Sequence, residues 1–196
     1  MMEIDETFWN NKYKNNETGW DLKSPSTPLK KYIDQLEDKN IKILIPGCGN
    51  AYEAEYLIEK GFNSITLIDI SEVIVEQLRE KFKDYPQLKI LHQNFFDLND
   101  QFDLILEQTF FCALNPLLRT EYAIKMNQLL SPKGKLVGVL FNRDFEEDVP
   151  PFGGHLPEYE TYFKDYFDYK TMEECYNSIP PRAGTELFIN LKKIDQ

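Results

Sequence analysis

Short unbroken apolar runs alternate along this chain with stretches whose apolar residues recur at helical spacing. Residues 41–46 (IKILIP) and 65–70 (ITLIDI) are of the first kind, as are 88–92, 102–107 and 135–141. Each is flanked by turn-forming residues and is too short for a helix, so each predicts a buried strand. Residues 51–60 place Ala54, Leu57 and Ile58 on one face with Gly61 as a stop, and predict a helix. Ser71 is a helix cap ahead of the stripe Ile74, Val75 and Leu78, which ends before Pro86. A further helix is predicted over 121–130, and Pro132-Lys133-Gly134 predicts a turn before the fifth strand.

Strand and helix thus alternate as far as Phe141, which predicts an α/β fold: a mostly parallel sheet with helices on both faces. The tail, 166–194, holds two strand-like runs around Pro180-Pro181 and Ala183-Gly184, and predicts an antiparallel C-terminal edge pair. With 196 residues and no repeat, linker or low-complexity tract, 1–196 reads as a single domain.

Composition narrows the functional classes. A hydrophobic content of 42% with 28% charged residues is that of a globular protein. The net charge of −11 argues against a nucleic-acid partner, which needs clustered Lys and Arg. Cys48, Cys112 and Cys175 lie far apart without a CxxC pair and read as reduced thiols of a cytoplasmic protein. The N-terminus is acidic and polar, unlike a signal peptide, and no apolar run reaches the roughly 20 residues of a membrane span. His92 and His155 are not spaced as ligands with any cysteine, so no metal is expected.

The candidate chemistry sits at the ends of the first two strands. Gly47 and Gly49 form a turn where bare backbone can approach a ligand, and Asp69 ends the next strand, where an acid binds ribose hydroxyls. Tyr52 occupies the place of the third glycine of a dinucleotide-binding turn, which fits a pyrophosphate poorly. An adenosine ligand without phosphate, such as S-adenosylmethionine, is less demanding, so methyl transfer is favoured over an NAD-linked oxidoreductase. A non-catalytic module that binds the cofactor stays open. The aromatics Phe8, Trp9, Tyr13 and Trp20 stand among polar residues. They suit a sulfonium cation, which each aromatic face attracts by about 0.5–2 kcal/mol; a staple for the N-terminus is the other reading.

The segments FWNNKYKNNETGWD (8–21), LIPGCGNAYE, LIDIS, NFFDL and FDLILEQTFFCAL occur in that order, followed by PPF at 150–152. Together they resemble the thiopurine S-methyltransferase family, which includes the halide and thiol methyltransferases. The resemblance spans nearly the whole chain and implies a Rossmann-like methyltransferase fold whose N-terminal segment, 1–26, covers S-adenosylmethionine. It implies cofactor contacts for Trp9, Tyr13, Trp20, Gly47, Asp69, Asn94, Phe95 and Gln108. Tyr13 departs from a common tryptophan, and Val149 from a glycine that often precedes Pro-Pro-Phe.

In-line displacement on a carbon activated by positive sulfur needs positioning and exclusion of water, so no catalytic triad is expected. Trp20, Phe110, Phe152 and His155 are the candidate substrate residues, while Phe111 and Tyr159 read better as core. A dry aromatic pocket suits a small soft nucleophile: a thiol, sulfide, thiocyanate or halide. A small O- or N-nucleophile is the alternative, and would need a base such as His155 or Glu107. A monomer acting on a small-molecule substrate is expected.

Overall fold

The computed structural model describes residues 4–146 and 148–194. Its seven strands form one sheet: β1 (Ile43–Pro46), β2 (Ile65–Asp69), β3 (Leu88–His92), β4 (Phe102–Gln108), β5 (Leu130–Phe141), β6 (Phe167–Glu174) and β7 (Glu186–Lys193). They lie in the order β3-β2-β1-β4-β5-β7-β6. The first five are parallel; β7 runs antiparallel between β5 and β6. Strand order therefore steps outward from β1 to β3 and resumes on the other side of β1 with β4. That reversal opens a crevice beyond the carboxyl ends of β1 and β4, where ligands of such sheets bind.

Alternation along β1 explains the two layers. Ile43 and Ile45 pack with Leu29 and Ile33 of α2 (Thr27–Ile33), Ala54 and Leu57 of α3 (Tyr52–Glu59) and Ile74 and Leu78 of α4 (Glu72–Lys81). Leu44 joins the opposite cluster, with Tyr122 and Met126 of α5 (Arg119–Leu129) and Tyr159 and Phe163 of α6 (Leu156–Phe163). All four residues of β1 are buried, as a central parallel strand covered on both faces requires. The predicted caps hold where they matter: the Ser71 hydroxyl accepts the amide of Ile74 at the start of α4.

Three helices lie outside the helical patterns of the sequence: α1 (Glu6–Lys14), α2 and α6. In α1 the apolar residues are aromatic and none is buried, so no core stripe marks it. The other two have seven and eight residues and carry proline in the first turn. Helix α5 starts two residues before its expected position, and β5 follows it directly at Leu130. The turn expected at Pro132-Lys133-Gly134 is accordingly an irregularity inside β5. Phe102 of β4 pairs with Leu130 and Leu104 with Lys135, so residues 131–134 loop out against Asp103 alone. Lys133 takes φ +65° there, and the Ser131 hydroxyl donates to Asp103. The tail forms the expected antiparallel pair. Among the described residues no helix is long and apolar enough to cross a membrane.

Candidate cofactor and acceptor pocket

A cavity of about 340 Å³ occupies the crevice. Its floor starts where β1 ends. Gly47, Gly49 and Ala51 adopt φ of +53°, +49° and +55°, which swings the chain from the strand into α3. At Gly47 a second constraint operates: a Cβ there would lie 2.2 Å from the Phe110 ring, so only glycine fits. Asp69, 7% exposed, ties the floor together. One carboxylate oxygen accepts the amide of Gly49 at 3.1 Å and the other that of Ser71 at 2.9 Å. Burial pushes its carboxyl above the ordinary range, and these amide donors oppose that.

After β3, the Asn94 side chain accepts the amide of Phe96 and caps a 3-10 turn, Phe95–Asp97. Phe95 packs edge-on to Phe96 at 5.3 Å and Phe110 at 5.1 Å, and all three line the cavity. Past β4, Gln108 also lines it; its Oε1 is buried without a hydrogen-bond partner among the described residues.

The opposite wall is α1 and the segment after it. The Trp20 ring meets Trp9 at 5.5 Å and Tyr13 at 5.9 Å, both edge-to-face. Polar tethers hold this wall to the body. Asn10 accepts from the Ser71 hydroxyl (2.7 Å) and the Val73 amide (3.2 Å). Asp21 accepts from Asn50 (2.9 Å) and the Tyr52 hydroxyl (3.2 Å). Arg182 donates to the Trp20 carbonyl (3.1 Å). Tyr52, where a dinucleotide site has glycine, is thus an anchor for the N-terminal wall. Nothing in the apolar pattern marks Asn10, Asp21 or Asn50, because their partners are distant in sequence.

The structure gathers Trp9, Tyr13, Trp20, Gly47, Asp69, Asn94, Phe95, Gln108 and Phe110 around one cavity. Phe152 and His155 are not among its lining residues. Phe152 is buried and its amide donates to the Cys112 carbonyl. His155 stands exposed at the start of α6, with Nε2 3.3 Å from Asp144. Glu107 is fully buried and also outside the lining. Phe111 and Tyr159 are core residues, and His92 pairs with Glu6 on α1 at 3.0 Å. No cluster of metal-ligating side chains occurs among the described residues.

Aromatic faces, the carboxylates of Asp21 and Asp69, and the absence of Lys, Arg and His from the described lining suit a cationic ligand that carries a ribose. The unpartnered Gln108 oxygen leaves an acceptor for it. The residues present therefore fit S-adenosylmethionine.

The fold is shared with solved methyltransferases. The Burkholderia thailandensis 1,6-didemethyltoxoflavin-N1-methyltransferase, solved with S-adenosylhomocysteine, superposes with a TM-score of 0.78 at 17% identity, covering 97% of this chain and 87% of that one. A probable thiol methyltransferase 2 of Arabidopsis thaliana is 30% identical over 98% of this chain and 88% of its own length. Thiocyanate methyltransferase 1 of Brassica oleracea is 28% identical over 98% and 87%. A thiopurine S-methyltransferase of Vibrio parahaemolyticus is 26% identical, over 83% of each chain. The thiopurine S-methyltransferase family profile matches residues 4–188. Fold, pocket and relatives define an S-adenosylmethionine-dependent methyltransferase, which sets the NAD-linked reading aside. Within that class, the chain belongs to the thiopurine S-methyltransferase family.

Proposed function

We propose that the enzyme methylates a small soft nucleophile: a thiol, sulfide, thiocyanate or halide. One observation carries this. The segment beyond β4 contributes Phe110, Leu114 and Leu118 to the same cavity as Trp20, and no Lys, Arg or His lines it among the described residues. The carboxylates in the lining already accept hydrogen bonds from the protein, Asp21 from Asn50 and Tyr52, Glu53 from Ser26, and Asp69 from Gly49 and Ser71, so the acceptor must bring its own reactive lone pair. Burying a strongly hydrated oxyanion in such a wall without a partner is costly, whereas a soft anion gives up less hydration. The relatives named for thiol and thiocyanate methylation support the same choice.

In this reading Asp69 accepts from the ribose hydroxyls, the Gly47–Gly49 backbone approaches the cofactor closely, and Asn94 and Phe95 flank the adenine. Trp9, Tyr13 and Trp20 face the sulfonium, Gln108 contacts the cofactor, and the segment 1–26, of which residues 1–3 lie outside the described residues, serves as its cover. S-adenosylmethionine supplies the activated methyl group, which leaves sulfur with its bonding pair retained there as the acceptor bonds to carbon. Protein residues bind, align and exclude water. Trp20 and Phe110 contact the acceptor. Residues 1–196 act as one domain, a cytoplasmic monomer, in keeping with three buried unpaired cysteines.

The O- or N-nucleophile reading needs a base, and neither His155 nor Glu107 lines the cavity. A panel of nucleophiles assayed with labelled cofactor tests the choice. Thiol turnover should rise with the thiolate fraction of each thiol, and thiocyanate or iodide turnover should not follow that fraction. Turnover confined to amines or hydroxyls, with thiols and halides inert, overturns the proposal.

A further inference from the structure

Glu107, the last residue but one of β4, has no solvent exposure at all and lies next to the cavity but not in its lining. A carboxyl so buried demands partners, and it has three. Its Oε1 accepts the consecutive amides of Phe110 (2.8 Å) and Phe111 (3.0 Å). Its Oε2 accepts the Tyr122 hydroxyl of α5 at 2.6 Å. No salt bridge reaches it among the described residues. Space is cleared for it on β5: a Cβ on Gly138 would lie 2.2 Å from the Glu107 carbonyl and 2.4 Å from its Cβ.

The two amides belong to the residues that part company beyond the strand. Thr109 takes φ +58°, turning the chain back on itself. The Phe110 ring then goes to the cavity and fills the space over Gly47. The Phe111 ring goes to the core, edge-on to Tyr122 at 4.9 Å and Tyr159 at 5.3 Å. A slip of one residue would exchange them. We propose that Glu107 is a positioning residue for methyl transfer: by holding both amides it sets Phe110 against the glycine turn and so shapes the acceptor end of the cavity. This rests on the placement of the acceptor beside Phe110, and it assigns Glu107 no contact with cofactor or acceptor.

The hydrogen bonds distinguish this role from that of a general base. A glutamine can accept both amides through Oε1 and donate through Nε2 to the Tyr122 oxygen. A base cannot be replaced in that way. The enzyme variants E107A, E107Q, F110A and E107A/F110A are to be compared, using whichever acceptor the parent turns over best. In E107A, kcat/KM for the acceptor should fall about 10–100-fold, the scale of a misplaced reacting group. Its affinity for S-adenosylhomocysteine should change far less. E107Q should recover most of that loss, and E107A/F110A should be no worse than the poorer single variant, because the two act as one unit.

E107Q as inactive as E107A, with cofactor affinity intact, would overturn the proposal in favour of a base. Additive losses, or an E107A enzyme with the parent's acceptor kinetics, would overturn it as well. Should E107A fail to fold, E107Q and F110A keep the test decisive: the first must stay active and the second must raise the acceptor KM. Failure of the soft-nucleophile proposal would show separately, in the acceptor panel of the parent enzyme.

Discussion

The floor of the cavity and the wall facing it differ in how their residues are held. On the floor, Pro46 and Asp69 close strands whose every residue is buried, and the Asp69 carboxylate bonds both the glycine turn and the start of α4. Across from it, α1 has no buried residue. Its Trp9 and Tyr13 meet Trp20 of the following segment edge-to-face, and side-chain bonds such as those of Asn10 and Asp21 moor that end of the chain. The floor takes its shape from the parallel register of β1, β2 and β4, which exists whether or not a ligand is bound. The aromatic wall is held by side-chain hydrogen bonds and by ring contacts within itself. A floor built on strands beneath a wall held by side chains is the division expected of a site that must admit a substrate and then exclude water.

The comparison is sharpened most by pH. The Glu107 carboxyl is pushed up to about 7 by burial, from an ordinary 4.5. Folding therefore tightens its hold on a proton. The associated stability is present below about pH 4.5 and is lost as pH rises through about 7, by roughly 3 kcal/mol in all. Urea unfolding of the parent and of E107Q across that range should show the parent losing stability relative to the variant. A constant difference between them would mean that folding leaves the Glu107 pKa unshifted.

Next comes Asp69. Asp69→Ala removes the acid at the end of β2 and should weaken S-adenosylhomocysteine binding by about 1.5–3 kcal/mol, measured by calorimetry. Unchanged affinity would reduce Asp69 to a clamp on the glycine turn. The smallest effect is expected on the cover, where Trp9→Ala should cost about 0.5–2 kcal/mol of affinity for S-adenosylmethionine. Hydrogen exchange gives the matching signature: residues 8–21 should gain protection with S-adenosylhomocysteine while 43–46 stay protected throughout. Equal protection of 8–21 with and without ligand would erase the distinction between floor and cover.

Much of this was legible in the chain. The apolar runs gave all five parallel strands their approximate places, since a strand covered on both faces must be apolar throughout. Gly47, Gly49 and Asp69 could be read because a left-handed turn and a strand-terminal acid impose residue types locally. The N-terminal aromatics stood out by their polar setting, and family resemblance added Asn94, Phe95 and Gln108, which no periodicity marks. The cavity lining then separated Trp20 and Phe110 from Phe152 and His155, four residues the sequence had offered together as substrate contacts.

What the sequence determined by itself was therefore local: which segments are strands, where the backbone needs glycine, and which cofactor such a turn can take. Tertiary structure alone decided the rest. It made Tyr52 an anchor for Asp21, set Asn10 on the start of α4, and turned Glu107 from a candidate base into a buried acceptor of two amides and a phenol. Each of those roles depends on a partner that folding brings close from another element or turn. Backbone preferences act over a few residues, but hydrogen-bond satisfaction is settled only when burial has removed the water.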